Sequence, residues 1–148
     1  MHAHPYRALA VNLTASFVVM YFAMFAMIDT AGDFFNNLNM LYMALVMLAP
    51  MAIIMLLTMR AMYPNRGLNI ALHIGFAALF GLALAGIRTQ AGIADAQFLR
   101  SMIPHHSGAI LMCREAKLRD AEIQSLCRQI RDSQRREIDQ MNRILARY

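Results

Sequence analysis

The residues best suited to chemistry form one short stretch, Met102-Ile103-Pro104-His105-His106, which continues as a helical pattern to Met112. Two adjacent imidazoles and two thioethers fall within about three helical turns. Imidazole nitrogen and thioether sulfur are borderline to soft ligands, which suit Cu(I) and related ions better than Mg²⁺ or Ca²⁺. We therefore predict a site for Cu(I), or for Ag(I), in this part of the chain. The predicted ligands in the stretch are Met102, His105, His106 and Met112.

Two amphipathic helices are needed to position these side chains. Apolar residues recur at three-four spacing from Phe98 to Ala116, and again from Ile123 to Leu145. The polar residues 117–120 separate the two patterns, and Asp95 and Asp120 are expected to cap the two helices at their N-termini. Residues 91–148 are therefore predicted to form an antiparallel helical hairpin, with a kink or a helix restart at Pro104.

The predicted hairpin has a register that can be checked. If the turn is centred near Asp120, Cys113 and Cys127 lie at the same height on facing helices. A disulfide between them would join the helices in an oxidising compartment. The alternatives are two buried free thiols, or two soft thiolate ligands in a reducing compartment.

The same register brings a second group of residues to the histidines. Met141 is a further predicted metal ligand, and either Gln134 or Glu137 is expected to accept the second ring N–H of a metal-bound imidazole. The alternative is that His105 and His106 are surface or core histidines with no ligand role. A hairpin of about 54 residues is small for a self-sufficient core. We therefore expect a homodimer or higher oligomer that completes a four-helix bundle.

The first half of the chain has the composition of a membrane protein. The 148 residues have a mean hydropathy of +0.41, and residues 8 to 87 hold only four charged side chains: Asp29, Asp33, Arg60 and Arg66. Three apolar runs are each long enough to cross a bilayer, at about 8–28, 38–59 and 68–87. Residues 1–90 are therefore predicted to be a transmembrane domain. The first run is expected to be a retained helix, the alternative being a signal peptide.

Arginine placement predicts the orientation. Arg7 precedes the first run, and Arg60 and Arg66 lie between the second and the third. The positive-inside rule puts these ends in the cytoplasm. The hairpin then lies outside, in the periplasm if the protein sits in the inner membrane of a Gram-negative bacterium.

Methionines recur every three or four residues in the second run and fall in one sector of a helix. Packing explains this pattern, because Met fills irregular gaps. The functional alternative is a thioether track that holds or passes Cu(I). The track residues would be Met40, Met43, Met47, Met51 and Met55. His73 in the third run is an intramembrane ionisable residue and so a functional candidate, or a buried neutral histidine bonded to a neighbouring helix.

The chain has an excess of basic residues, 14 Lys and Arg against 9 Asp and Glu, but this excess does not indicate nucleic-acid binding. Arginines alternate with acidic residues along the hairpin, as on a solvated helix face. Attraction to anionic lipid headgroups explains the excess more simply. The roles of His2 and His4 stay open.

Two patterns in the hairpin resemble a known family. They are Phe98-Leu99-x-x-Met102-Ile103-Pro104-His105-His106-Ser107-Gly108-Ala109-Ile110 and Ile130-x-x-x-Gln134-x-x-Glu137-Ile138-x-x-Met141-x-x-x-Leu145. Together they resemble the domain-of-unknown-function 305 family, over about residues 95–146. The resemblance implies a ferritin-like helical domain often associated with copper and silver resistance. It marks the metal-site residues named above. Longer members of that family repeat the hairpin, whereas this chain has one copy behind three apolar runs.

These observations predict an all-α protein that holds Cu(I) at a membrane, and no enzyme. One alternative is a structural or regulatory subunit that docks on a metal transporter, with methionines that only pack. A ferritin-like metal oxidase is a weaker alternative, because the hairpin lacks the Glu-x-x-His pairs of di-iron sites.

Overall fold

The computed structural model describes residues 5–148, so His2 and His4 lie outside the described residues. The described part of the chain is helical throughout, as predicted. Its helices are α1 (Pro5–Ala23), α2 (Leu38–Thr58), α3 (Arg66–Thr89), α4 (Asp95–Glu115) and α5 (Ala121–Leu145). Short 3₁₀ turns occur at Met24–Met27, Ala31–Asp33 and Arg60–Met62.

Three stretches are long and apolar enough to cross a membrane. They are Pro5–Met27, Leu38–Thr58 and Arg66–Thr89, close to the three predicted runs. Pro50 lies inside α2, which continues through it. The length and composition of these three stretches are compatible with a membrane location, because an apolar helix of about 20 residues spans the hydrocarbon core of a bilayer.

The chain divides into two compact units. The first contains residues up to Ala23 and Asn39–Gly92, and so holds α1, α2 and α3. Its core joins leucines of α1 to α2 and to Tyr63: the buried members are Leu9, Leu13, Leu48, Ala52, Leu56 and Tyr63. At Gly86 of α3, an added Cβ would lie 3.0 Å from the ring of Tyr42, so this glycine permits a close approach to α2.

The second unit contains the hairpin and one segment from the apolar half of the sequence. It comprises Met24–Leu38 and Ile93–Tyr148. The predicted division at residue 90 lies close to this boundary, but it gave residues 24–38 to the transmembrane domain. Asp29 and Asp33 account for the difference, because both carboxylates are satisfied by side chains of the hairpin.

The hairpin has the predicted register. A disulfide joins Cys113 to Cys127, with their Cα atoms 5.2 Å apart. Asp120 caps α5, since its Oδ1 accepts from the backbone N–H groups of Glu122 and Ile123. Asp95 is the first residue of α4 and Ala94 precedes it as the cap, so the predicted cap was wrong by one position. α4 runs through Pro104 without restarting.

Candidate functional site

His106 is the most firmly held of the predicted ligands. It is 9% exposed, and both ring nitrogens have partners. Nδ1 lies 2.8 Å from the carbonyl oxygen of Met102, one turn earlier in α4. Nε2 lies 2.8 Å from Oε2 of Glu137 on α5. Of the two acceptors considered from the sequence, the structure uses Glu137, while Gln134 is half-buried nearby on the same helix.

These two contacts occupy both nitrogens of the ring. A carbonyl oxygen only accepts, so Nδ1 of His106 donates to Met102. Nε2 is directed at the carboxylate of Glu137. In this arrangement His106 has no lone pair free for a metal. It becomes a ligand only if Glu137 releases Nε2.

Met102 and Met141 lie in one apolar cluster although they are far apart in sequence. Met141 is 9% exposed and belongs to the buried core of the hairpin, and Met102 packs against that core. Its buried members are Leu99, Ile103, Ile110, Ile138 and Met141. His105 is exposed and lies three residues after Met102, so the two side chains are neighbours on the helix surface. The structure thus places both thioethers in the apolar cluster of the hairpin, and the His105 imidazole beside Met102 on the exposed surface of α4.

Met112 lies apart from this group. It is ten residues after Met102 on the continuous α4, about 15 Å along the axis at 1.5 Å per residue, and it is 53% exposed. One ion cannot contact both sulfur atoms. Met112 therefore does not share a site with Met102, and its role as a metal ligand stays a prediction.

The methionines of α2 do not share one environment. Met43 and Met47 are 47% and 41% exposed, whereas Met51 and Met55 pack against the core of the first unit. Met40 is half-buried. The sector that they occupy is broad enough to include part of the packed side and part of the exposed side of the helix. The stripe predicted from spacing therefore divides into two sets.

A buried polar network joins residues 24–38 to α4, and the sequence analysis did not predict it. Asp33 is 4% exposed and Ser107 is completely buried. The Ser107 hydroxyl donates to Oδ2 of Asp33 at 2.6 Å and accepts from the backbone N–H of Asp29 at 2.6 Å. Thr30 also donates to Oδ2 of Asp33, at 3.0 Å. The small pair Ser107-Gly108 lets the segment approach, because a Cβ on Gly108 would lie 3.4 Å from the carbonyl oxygen of Met27.

Two arginines from different helices bind the carboxylate of Asp29. Arg114 of α4 contacts Oδ1, and Arg135 of α5 donates to Oδ2 at 2.6 Å. The Asp29 side chain is 5% exposed, while the arginines are exposed by more than 40%. The pKa of Arg114 is raised above its usual value, chiefly by its hydrogen bond to Glu115 and further by the charge of Asp29. Two acids in an otherwise uncharged stretch were the sequence signal for this contact.

The donor set favours a soft ion over a hard one. Within residues 5–148, no group of three His, Cys, Asp or Glu side chains is placed to hold a metal ion. The candidate donors of the hairpin are the thioethers of Met102 and Met141 and the imidazole of His105. Such neutral, soft donors suit Cu(I) rather than Zn²⁺, Mg²⁺ or iron.

The comparisons with known proteins gave a family match and a viral relative, both from the sequence. Residues 82–145 match the family described as Domain of unknown function (DUF305). The chain is 36% identical over 134 residues to "Uncharacterized protein L153" of Acanthamoeba polyphaga mimivirus, a match that covers 88% of this chain and 86% of the viral protein. No solved structure matches. A family match over the hairpin and a relative matched along nearly its whole length place this chain in the DUF305 family.

Proposed function

We propose that this protein is a membrane-anchored carrier or store for Cu(I), able to take Ag(I), and that its hairpin captures the ion through Met102, His105 and Met141. The observation that carries the proposal is the meeting of Met102 and Met141 in one cluster, next to an exposed imidazole. Two thioethers on facing helices, closed by an accessible histidine, form a soft three-donor site.

The fixed His106 supports this assignment of roles. Its ring is anchored to Glu137 on the other helix and to the Met102 carbonyl on its own. That anchoring holds α4 and α5 in register at the level of the two methionines. Partners of this kind orient the ligands of a metal site and commonly change its affinity 10–100-fold.

Three features support an extracytoplasmic hairpin. Residues 24–38 join the first two apolar helices and pack against the hairpin that follows the third, so both lie on one side of any membrane crossed by all three helices. Arg60 and Arg66 lie on the connection that would face the opposite side, as expected for the cytoplasm. The Cys113–Cys127 disulfide suits an oxidising compartment.

An anaerobic competition titration against a chromophoric Cu(I) chelator tests the proposal. The detergent-purified protein is compared with Met102→Leu/His105→Ala/Met141→Leu, in which leucine preserves the apolar volume of methionine. Met112→Leu is the matched control, because it removes an exposed thioether from the same helix. We expect the triple variant to lose at least about tenfold in affinity at this site, and Met112→Leu to bind like the unchanged protein.

Two outcomes would contradict the proposal. If the triple variant binds as many equivalents of Cu(I) as the unchanged protein, and as tightly, the hairpin is not the site. If neither binds Cu(I) more tightly than the competing chelator, metal handling is excluded and docking on a transporter becomes the better explanation of the fold.

A further inference from the structure

His73 of α3 has a buried ring nitrogen without a partner. Nε2 is inaccessible to solvent and makes no hydrogen bond within the described residues 5–148. Nδ1 lies 2.6 Å from the carbonyl oxygen of Asn69. Because a carbonyl oxygen only accepts, the proton is on Nδ1, and the lone pair of Nε2 is buried and unpaired. A buried acceptor left unpaired is uncommon in native proteins and calls for a ligand or another explanation.

The residue that fixes the ring is itself held on both sides. The hydroxyl of Tyr6 donates to Oδ1 of Asn69 at 3.0 Å, and Nδ2 of Asn69 donates to the carbonyl oxygen of Tyr63 at 2.8 Å. The first turns of α3 are thereby tied to α1 and to the loop before α3. The orientation of the His73 ring is therefore set in advance, as a metal-binding imidazole requires.

Thioethers lie on the side of α2 that belongs to the same core. Leu72 and Phe76, which lie next to His73 on one side of it around α3, pack against the apolar core of the first unit, as do Met51 and Met55 of α2. His73 is seven residues from Arg66, where α3 begins, and Met51 is seven residues from Thr58, where α2 ends. Since these two helix ends are joined by one short loop, the imidazole and the Met51 thioether lie at a similar depth, about 10 Å from their helix ends.

We propose that Nε2 of His73, with the thioethers of Met51 and Met55, forms an intramembrane binding site for Cu(I). Imidazole nitrogen and thioether sulfur are the donors that such an ion prefers. All three ligands are neutral, so no ligand charge offsets the cost of burying the charge of the ion. That cost is smallest for a monovalent ion, which favours Cu(I) over divalent metals in an apolar interior. The inference rests on the proposed function for its cargo, but its ligands are separate from those of the hairpin.

The exposed methionines of α2 provide a matched control. Met43 and Met47 are on the same helix and have the same side chain, but they are 47% and 41% exposed instead of packed against the core. A continuous thioether track would need both sets. A site at His73 needs only Met51 and Met55.

The test is a Cu(I) competition titration of the full-length protein in lipid nanodiscs. It starts from the hairpin variant Met102→Leu/His105→Ala/Met141→Leu, so that binding at the hairpin does not contribute. We expect this protein to retain one equivalent of Cu(I). Adding either His73→Leu or Met51→Leu/Met55→Leu should weaken that binding at least tenfold, whereas Met43→Leu/Met47→Leu should leave it unchanged.

Each other result overturns the inference. The site is excluded if the hairpin variant binds no Cu(I), if binding survives His73→Leu, or if Met43→Leu/Met47→Leu weakens it as much as Met51→Leu/Met55→Leu. Failure of the proposed function gives a different pattern, in which the hairpin substitutions change nothing while His73→Leu abolishes binding.

Thermal unfolding without metal separates a ligand from a structural histidine. His73→Leu removes the hydrogen bond from Nδ1 to the Asn69 carbonyl oxygen, but it also removes the buried, unpaired Nε2. We therefore expect the melting temperature of the metal-free protein to rise or stay unchanged, and the rise caused by added Cu(I) to be abolished. A lower melting temperature of the metal-free variant, with the Cu(I)-dependent rise retained, would show that His73 serves only the fold.

Discussion

At the residue scale, the same side-chain types have different roles according to their partners. His105 and His106 are adjacent in sequence, yet His105 is exposed and His106 is engaged at both nitrogens. The sequence predicted the pair, and it predicted Glu137 as one of two possible partners. It could not predict which histidine keeps a free lone pair, because that depends on a side-chain contact between residues 31 positions apart.

Ser107 provides a test of the buried network. Ser107→Ala removes a donor to the buried Asp33 carboxylate and the acceptor of the Asp29 backbone N–H. Leaving buried polar groups unpaired costs about 1–3 kcal/mol each. We therefore expect the free energy of unfolding to fall by about 2 kcal/mol, seen as a melting temperature about 5 °C lower in detergent.

Ser133→Ala is the control for this experiment. Its hydroxyl donates to the Ile130 carbonyl one turn back on α5, a bond that stays within one helix. The change should alter stability by less than about 0.5 kcal/mol. Equal effects of the two substitutions would argue that the Ser107 network contributes nothing specific to stability.

At the scale of elements, periodicity predicted the helices well and the partners of the connecting segment poorly. The three-four spacing gave α4 and α5 and their register, since both helices bury one apolar stripe. Residues 24–38 lack such a period, and the sequence predicts that 24–28 end the first apolar run while 29–37 connect it to the second. Their packing depends on Asp29, Asp33 and the small Ser107-Gly108 pair, which are informative only once the hairpin is in place.

The disulfide is expected to stabilise the hairpin by limiting the unfolded chain. It closes a loop of 14 residues, for which the chain-entropy estimate is about 3 kcal/mol. Cys113→Ser/Cys127→Ser should therefore melt well below the unchanged protein, and added reductant should lower the melting temperature only of the latter. Rapid maleimide labelling of both cysteines in native protein without reductant would contradict this account.

At the scale of the whole molecule, the proposed function requires that residues 24–38 and the hairpin lie on the same side of the membrane. Single cysteines are introduced at Ala31, Lys117 and Ala61 in the Cys113→Ser/Cys127→Ser background. The first two lie in the second unit and the third in the loop between α2 and α3. We expect an impermeant maleimide to label the first two from outside intact cells and the third only after lysis. Labelling of Ala31→Cys and Lys117→Cys from opposite sides would refute three spans with a shared outer face.

The sequence supports the prediction of the helices better than it supports the prediction of dimerisation. Three apolar helices and a helical hairpin followed from composition and period, because both properties are local. Dimerisation of the hairpin stays a prediction. It would cover exposed apolar side chains such as Ile123 and Leu126, at 48% and 53% exposure, but their partner is not encoded in any local pattern.

X-ray absorption at the copper edge tests directly whether the hairpin binds Cu(I) through Met102 and Met141. The protein is loaded anaerobically with one equivalent of Cu(I) in the His73→Leu background, so that the hairpin is the site observed. We expect sulfur and imidazole nitrogen together in the first coordination shell of the copper. The sulfur contribution should be lost in Met102→Leu/Met141→Leu and retained in Met112→Leu. A shell of nitrogen and oxygen alone, or sulfur that survives Met102→Leu/Met141→Leu, would contradict the claim that the hairpin captures Cu(I) through these two methionines.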